Sequence, residues 1–354
     1  MAKLAVYKYF SFMMLVISLM VSVFIFMGLF GGNADPTHAN ASAMMVYALP
    51  ILIIIDTVLL AYWLIRKRWH WAAIPGVVLL FSLRYIGTIY QPGIHILGNY
   101  ASQHSILVAT YNVERFKHET SGFRADDILS EMKRQEVDVM CLQEYSDESG
   151  DKRNSDNYRQ EFSHMAKGRD DMVIYSRYPI RRSGTIDFGD TNNSAMWADI
   201  NIDGKTVRLI NVHLQTTGIN RTKRKVAKMQ QNGLDIGEWA IFKKLFENYT
   251  LGMVERAGQA RQVAAEVEKS KYPVILCGDF NDVPYSYTYN TMLGELTDGF
   301  RECGQGFMTT MRGRKPARID YIFHDDRLRG ERYYTTDLSY SDHYPVFMRI
   351  GLDM

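Results

Sequence analysis

The sequence has little cysteine and little net charge, and neither shortage by itself commits the chain to a class of protein. Its 354 residues include three cysteines, and its formal net charge is +2. An odd number of cysteines cannot all pair, and Cys141 and Cys277 lie in apolar runs, so we expect inert buried thiols. The strongly basic surface of a protein that holds nucleic acid by its phosphates is not indicated.

Charge is scarcest in the first hundred residues. Of 41 Lys and Arg and 39 Asp and Glu in the chain, six basic and two acidic residues lie there, which leaves 35 basic and 37 acidic after them. Three apolar segments, about 10–30, 44–65 and 71–90, are long enough to cross a bilayer as helices. A signal peptide is the alternative for the first, but its apolar run is long and further spans follow. We predict a membrane region over residues 1–91.

The distribution of Lys and Arg predicts how these spans are oriented. The loop 31–43 has none, whereas Arg66, Lys67 and Arg68 fill the turn between the second and third spans. The positive-inside rule puts the amino terminus and this turn in the cytoplasm. Three crossings then place everything after about residue 91 on the extracytoplasmic, periplasmic side of a multi-pass membrane protein.

Two charged residues, Asp56 and Arg84, lie inside the predicted spans. An unpaired charge within a membrane is costly, so we expect the two side chains to pair between antiparallel helices. The alternative is that Arg84 extends outward to the membrane surface and Asp56 reaches water separately.

After a predicted linker over 92–104, residues 105–354 have the pattern of a soluble domain. Apolar runs, helical stretches and turns are mixed without strict alternation, which favours an α/β (α+β) sandwich. Strands are predicted at about 106–114, 137–144, 171–176, 198–202, 207–214, 274–277, 318–323 and 346–350, and helices within 125–135 and 218–270. A turn at Asp203 and Gly204 implies an antiparallel hairpin between two of the strands.

The stretch from Pro273 to Pro284 organises the rest of this domain. Its apolar run ends at Gly278, Asp279 and Asn281. Because side chains alternate along a strand, Asp279 and Asn281 point the same way while Phe280 enters the core. Gly278 is expected to let the backbone turn closely there. Taken alone, the stretch equally fits an ordinary turn at the end of a strand.

Polar side chains end or interrupt several other predicted strands in the same way. The full set is Asn112, Glu114, Glu144, His213, Asp279, Asn281, Asp320, Asp342 and His343. Oxygen ligands without thiolates favour Mg²⁺ or Mn²⁺ over zinc. Two histidines, one with Asp320 as a buried partner, suit activation of water and stabilisation of a phosphoryl group. The pattern predicts metal-assisted phosphoester hydrolysis.

These residues stand in six short motifs whose order resembles the endonuclease/exonuclease/phosphatase superfamily. The motifs are Tyr-Asn112-Val-Glu114, Cys-Leu-Gln-Glu144, Asn-Val-His213-Leu, Gly-Asp279-Phe-Asn281, Arg-Ile-Asp320-Tyr and Ser-Asp342-His343-Tyr-Pro. Each motif alone is a weak signal, whereas six in order are specific. The resemblance spans about residues 105–352 and implies a four-layered α/β sandwich of two mostly antiparallel sheets, with the site at one end.

The resemblance also implies a role for each residue. Glu144 is expected to be the main metal ligand, with Asn112, Glu114 and Asp342 in its shell or in that of a second ion. Asp279 would orient or deprotonate the attacking water, and Asn281 would hold a phosphate oxygen. His343, oriented by Asp320, would be the general base or the stabiliser of the transition state. His213 would bind phosphate or protonate the leaving oxygen, and its supporting carboxylate is not identifiable in the sequence.

The sequence therefore predicts a membrane-anchored, Mg²⁺- or Mn²⁺-dependent phosphoesterase. Its substrate is expected to be a phosphodiester or a phosphomonoester. The membrane anchor and the nearly neutral domain favour a phospholipid headgroup, whereas the family resemblance favours the alternative of a nuclease acting on DNA or RNA. The basic stretch 221–228 is either a solvated helix face or a contact for anionic membrane lipid. A catalytically inactive scaffold that binds phosphorylated ligands is the alternative of another class. A binder has no need of Asp279 and His343 together, which argues against the scaffold.

Overall fold

The computed structural model describes residues 2–93, 102, 104–116, 125–145, 158–169, 171–189, 191, 193–216, 228–229, 237–313, 317–338 and 340–352. Its amino-terminal part consists of helices α1 (Ala2–Gly31), α2 (Asn40–Met45), α3 (Leu49–Ile65) and α4 (Trp69–Ile89). Three candidate membrane spans result, Tyr7–Gly31, Asn40–Ile65 and Trp69–Ile89. The prediction of three apolar helices long enough to span a membrane is confirmed.

These helices are apolar on every side. Ile25, Leu49 and Val78 are buried where the helices pack together. Large apolar side chains such as Ile51 and Leu80 point outward and are about two-thirds exposed, at 65% and 67%. A helix that is apolar all round suits a lipid environment, because in water the apolar side chains on its outer face would be exposed to solvent.

The expected pairing of Asp56 with Arg84 is wrong. Asp56 is fully buried on α3, and neither of its carboxylate oxygens has a hydrogen-bond partner within the described part of the chain. Arg84 is exposed on α4. The two side chains face different ways, because Asp56 turns toward the packed helices and Arg84 turns out of them.

The remaining described residues form two six-stranded sheets. The first has the order β10-β12-β9-β8-β7-β6 and the second β13-β14-β2-β3-β5-β4. The strands of the first sheet are β6 (Ile180–Ile186), β7 (Ser194–Ile202), β8 (Lys205–His213), β9 (Val274–Asp279), β10 (Thr297–Asp298) and β12 (Asp320–His324). Those of the second are β2 (Ser105–Asn112), β3 (Val139–Gln143), β4 (His164–Lys167), β5 (Val173–Ser176), β13 (Arg329–Thr335) and β14 (Val346–Gly351).

Each sheet is mostly antiparallel, with one parallel pair among the described strands. The parallel pairs are β8 with β9 and β2 with β3. Four helices accompany the sheets in the described residues, α5 (Ala125–Arg134), α6 (Glu238–Glu268), α7 (Tyr287–Leu293) and α8 (Gly299–Cys303). A two-stranded pair, β1 (Tyr90–Gln91) with β11 (Gly306–Phe307), lies apart from them.

The hydrophobic core has three layers that the two sheets separate. Ile174 and Val108 of one sheet meet Leu209 and Ile275 of the other in the middle layer. Helix α5 covers the outer face of the second sheet, and α6 and α7 cover the outer face of the first. The predicted four-layered α/β sandwich is confirmed. Cys141 and Cys277 lie in the middle layer as free, buried thiols, as expected.

The sequence missed the four strands at the edges of the two sheets, β4, β6, β10 and β13. Edge strands cover less apolar surface, and β6 and β13 expose several of their residues, so neither shows a strong apolar run. Helix α6 lies inside the predicted helical stretch 218–270. Most of the basic stretch 221–228 lies outside the described residues, as does most of the predicted linker 92–104.

The amino-terminal helices contact the sandwich at one end. The loop after α1 meets α7, since Asn290 Nδ2 donates to the carbonyl of Gly32 at 2.7 Å. The end of α4 meets the start of β12, since the guanidinium of Arg318 donates to the carbonyl of Thr88 at 2.8 Å. The loop 32–39, the end of α4 and the sandwich therefore lie at the same end of the helices.

Candidate active site

The strand registers bring the predicted site residues to one edge of the sandwich. His213 ends β8 and pairs with Asp279, which ends β9. Asp320 begins the antiparallel strand β12 and also pairs with Asp279. Asn112 ends β2 in the other sheet, where its pairing partner Gln143 immediately precedes Glu144. Side chains that are far apart in sequence therefore meet because their strands end together.

Asp279 lies at the centre of the site and is almost fully buried, at 1% exposed. Its Oδ2 accepts hydrogen bonds from Asn112 Nδ2 at 3.0 Å and Asn281 Nδ2 at 3.2 Å. Two imidazoles stand on either side, with Nε2 of His343 at 3.8 Å and Nε2 of His213 at 3.9 Å from the same oxygen. Burial raises the pKa of Asp279 to about 6, against the opposing effect of His343.

His343 and Asp320 form a hydrogen-bonded pair. Nδ1 of His343 lies 2.9 Å from Asp320 Oδ2 and 3.1 Å from Oδ1. This contact fixes the ring so that Nε2 faces Asp279. Burial lowers the pKa of His343, but the carboxylates of Asp320 and Asp279 outweigh it and raise that pKa to about 10. The imidazole is therefore held in its charged form.

Asp171 is the carboxylate beside His213 that the sequence did not identify. Its Oδ2 lies 3.4 Å from Nδ1 of His213. The contact is an ion pair and not an aligned hydrogen bond, because His213 Nδ1 has no hydrogen-bond partner in the described residues. Burial lowers the pKa of His213, but the carboxylates of Asp171, Asp279 and Glu144 outweigh burial, so the net shift of this pKa is upward. The available signal was a carboxylate two residues before a buried strand.

Asn281 is held by its own neighbours. Its backbone has a φ of 51°, its N–H donates to Asp279 Oδ1 at 2.8 Å, and its Nδ2 donates to the carbonyl of Leu214 at 2.9 Å. Non-glycine residues with positive φ are uncommon and often mark functional sites. The turn after β9 is thus built around Asp279.

Gly278 has a different role from the expected one. It lies within β9 and not in a turn, with a φ of +133°. A Cβ built there would lie 2.0 Å from the carbonyl oxygen of Val212 on β8. Glycine is therefore required by the close approach of two strands immediately before Asp279.

The four predicted metal ligands differ in how open they are. Glu144 is 30% exposed, and its Oε1 accepts from Asn112 Nδ2 at 3.3 Å. In the described residues it forms no ion pair with Lys or Arg. Asn112 Oδ1 accepts from the N–H of Glu114 at 3.0 Å, and Asp342, half exposed, lies 3.9 Å from His343 Nε2. An accessible carboxylate among neutral and anionic oxygens fits a hard cation such as Mg²⁺.

A tighter group of possible metal-binding atoms belongs to Asp279, Asp320 and His343, which lie within 4.8 Å of one another. Hydrogen bonds already engage each of these three side chains. Asp320 is bound to His343, and Asp279 accepts from Asn112 and Asn281. The carboxylate of Glu144 is more exposed than these three side chains.

A buried network lies directly behind the site. Asp282 accepts from Arg256 Nε at 3.3 Å and from the hydroxyl of Tyr47, which lies between α2 and α3. Arg256 also donates to the carbonyl of Gln215 at 3.0 Å, and Tyr321 Oη donates to the carbonyl of Asp282 at 2.9 Å. The turn that carries Asp279 and Asn281 is thus fastened both to α6 and to the amino-terminal helices.

Comparisons with known proteins agree with this arrangement. The family model described as endonuclease/exonuclease/phosphatase family matches residues 109–343, and a model described as a domain of unknown function matches residues 10–89. No curated protein matches the chain.

Solved structures share the fold at low sequence identity. A family protein from Bacteroides thetaiotaomicron is 18% identical, with 72% of this chain and 100% of that chain covered and a TM-score of 0.52. A protein from Bacteroides vulgatus is 17% identical, with coverages of 71% and 100% and a TM-score of 0.52. D. rerio TDP2 complexed with single strand DNA product is 15% identical, with coverages of 70% and 100% and a TM-score of 0.50.

Proposed function

Because the chain belongs to the endonuclease/exonuclease/phosphatase family, we propose that it is a membrane-anchored hydrolase of phosphoester bonds that uses Mg²⁺ or Mn²⁺. The observation that carries the proposal is the position of Asp279. Its carboxylate is buried between the amides of Asn112 and Asn281 and faces two imidazoles, at 3.8 Å and 3.9 Å. A carboxylate between two histidines can accept a proton on one side of a phosphorus centre while a proton is donated on the other.

Each residue is assigned one task. Asp279 accepts a proton from the attacking water, which it also orients. His343, held by Asp320 and kept charged, stabilises the negative charge that develops on the phosphoryl oxygens. His213, whose charged form Asp171 favours, binds phosphate and donates a proton to the leaving oxygen. Asn281 fixes Asp279 and offers its amide to a phosphate oxygen.

The metal would be held by Glu144 with Asn112, Glu114 and Asp342. When bound, a divalent cation supplies positive charge that offsets the charge of the phosphoryl oxygens. Glu144 and Asp342 are the more exposed of these four residues, so we expect a phosphoester to approach the site from their side.

The membrane placement of the proposal rests on the amino-terminal helices. We assign residues 1–91 to a membrane region, 92–104 to a linker and 105–354 to the catalytic domain. The loop 32–39 lies at the same end of the helices as the sandwich, and Arg66, Lys67 and Arg68 lie at the other end. The positive-inside rule then supports a catalytic domain outside the cytoplasm.

A phosphoester in a lipid headgroup is the substrate that this placement favours. Residues beyond position 100 carry 35 basic and 37 acidic side chains, so the domain lacks the positive excess typical of nucleic-acid binding. The membrane helices also hold the turn at Asp282 through Tyr47, which keeps the site close to the bilayer.

The full chain, purified in detergent and reconstituted, tests the proposal with three substrates: phospholipid vesicles, a single-stranded oligonucleotide and a small phosphodiester. Each is incubated with Mg²⁺, with EDTA, and with the Asp279→Asn variant. We expect Mg²⁺-dependent release of a headgroup product that the variant does not give. Cleavage of the oligonucleotide alone would favour the nuclease. Binding of a phosphorylated ligand without hydrolysis, equal in both proteins, would favour the scaffold.

A further inference from the structure

Helix α6 extends beyond the sheet that it covers. Its 31 residues extend about 46 Å at 1.5 Å per residue. The carboxyl-terminal part packs on the first sheet through Ala257, Ala260 and Val263, all fully buried. The amino-terminal part carries large exposed side chains: Trp239 is 76% exposed, and Phe242 is 57% exposed. Half of the helix is therefore covered by the sandwich and half is not.

The exposed aromatic residues continue the buried stripe. At 100° per residue, Trp239, Phe242 and Phe246 fall on the same side of α6 as Met253 and Ala257, which are buried. Their rings pack along the helix, with centroid distances of 5.7 Å between Trp239 and Phe242 and 6.3 Å between Phe242 and Phe246. A single apolar face thus continues from the half of α6 that packs on the sandwich to the half whose aromatic side chains are exposed. Another molecule must cover the exposed half.

Tyr249, on this face between the covered and uncovered halves, shows what lies next to it. Its ring meets the ring of Tyr47 edge-on, with centroids 5.1 Å apart. Tyr47 stands 19 residues from Arg66 along one candidate span, Asn40–Ile65, which is about 28 Å of helix and close to the thickness of a bilayer core. With Arg66 at the inner boundary, Tyr47 would lie at the outer boundary of the bilayer, and Tyr249 of the aromatic face lies beside Tyr47.

We propose that the amino-terminal half of α6 lies in the outer membrane interface and seats the catalytic domain on the lipid surface. Trp and Phe suit the headgroup level of a bilayer. Lys243, exposed beside the aromatic face and 3.9 Å from Glu247 Oε1, suits the charged headgroup level of the interface. The occupant is the lipid of the membrane that α1, α3 and α4 span, so the inference rests on the membrane part of the proposed function and not on its chemistry.

A fluorescent label on α6 tests this proposal without measuring hydrolysis. Phe242→Cys and, as a matched control in the covered half, Gln262→Cys are labelled with an environment-sensitive dye in the full chain reconstituted in vesicles. The unsubstituted chain, labelled in the same way, corrects for the emission of dye bound at Cys303. With lipids that carry a quencher just below the headgroups, we expect the label at 242 to lose roughly half of its emission or more, because interfacial helices lie about 5–10 Å into the bilayer boundary. The label at 262, which is exposed to water, keeps its emission.

Two results would overturn the proposed position of α6 in the membrane interface and leave the membrane anchoring intact. Both require that the chain stays with the membrane in alkaline carbonate. The first is a label at 242 that emits as in water and is not quenched. The second is a label that is shielded from water but insensitive to the quencher and dependent on the protein-to-lipid ratio, which would assign the face to a second copy of the chain. Release of the chain by carbonate would overturn the membrane anchoring itself, and this inference with it.

Discussion

Asp171 Oδ2 lies 3.4 Å from Nδ1 of His213, and this contact joins the two sheets of the sandwich at the active site. Asp171 lies two residues before the strand β5 of one sheet, and His213 ends β8 of the other. Both side chains are buried, at 6% exposed each. Asp171 therefore positions His213 from the opposite sheet of the sandwich.

Replacing Asp171 by asparagine tests this link. We expect Asp171→Asn to lower kcat about 10- to 100-fold, the usual effect of losing a residue that orients an active-site group, with little change in folding. Steady-state kinetics with Mg²⁺ measure the effect. Asp187→Asn is the control, because Asp187 is an exposed carboxylate whose ion pair with Arg169 lies at the surface. Equal activity of both variants would remove Asp171 from the mechanism.

The close approach of β8 and β9 predicts very different losses of stability at two glycines with positive φ. Gly278→Ala places a Cβ 2.0 Å from the carbonyl oxygen of Val212, whereas Gly204, with a φ of +89°, has nothing within 4 Å of such an atom. We expect Gly204→Ala to cost about 1 kcal/mol and Gly278→Ala to prevent stable folding of the sandwich. Thermal unfolding of the two variants decides the point. A folded Gly278→Ala protein with normal stability would show that the strands can separate freely.

If Glu144 is the main metal ligand, a substitution of Glu144 changes the affinity of the protein for the metal. We expect Glu144→Gln to raise the Mg²⁺ concentration needed for half-maximal activity roughly 10- to 100-fold, because a neutral amide is a weaker ligand for a hard cation than a carboxylate. Magnesium titrations of activity measure it. Glu136→Gln, at an exposed site with no ligand role, serves as the control. An unchanged Mg²⁺ requirement in Glu144→Gln would move the metal to other residues.

The buried His324 and the partly exposed Glu302, a pair outside the active site, predict how stability depends on pH. Nε2 of His324 lies 2.6 Å from Glu302 Oε2. Burial lowers the pKa of His324, but Glu302 outweighs this and raises the pKa above its usual value. A raised folded-state pKa stabilises the protein below the unfolded pKa, about 6.5 for histidine, and this contribution is lost as the pH rises through the folded pKa.

We therefore expect Glu302→Gln to lower the melting temperature by roughly 2–4 °C below about pH 6.5, corresponding to about 1 kcal/mol. The difference from the unsubstituted chain shrinks at higher pH. Thermal unfolding at several pH values measures it, with the exposed Glu295→Gln as the control. A difference that grows with pH would mean that His324 is neutral in the folded protein.

The sequence identified much of this site because strand ends are visible in a sequence. His213, Asp279 and Asp320 each stand at the end of an apolar run, and parallel or antiparallel registers then bring them together. Asp171 also stands beside such a run, yet its partner belongs to the other sheet. The packing of one sheet on another, which no local pattern encodes, decides that contact.

The same limit explains what the sequence predicted poorly elsewhere. The edge strands, β6 and β13 among them, cover too little apolar surface to give an alternating pattern. Asp56 and Arg84 have suitable depths for a pair, but the rotation of each helix about its axis turns them apart. Tertiary packing sets that rotation, and hydropathy along the chain does not reveal it.

The most direct test of the account is hydrolysis of bis-(p-nitrophenyl) phosphate by the full chain and by its Asp279→Asn variant, each with Mg²⁺ and with EDTA. Asn keeps the shape of Asp279 and removes its ability to accept a proton, so we expect kcat to fall by about 10²- to 10⁴-fold. EDTA should abolish the activity of the unsubstituted chain and added Mg²⁺ should restore it. Hydrolysis that survives in the Asp279→Asn variant, or that EDTA leaves unchanged, would contradict a metal-dependent phosphoesterase centred on Asp279.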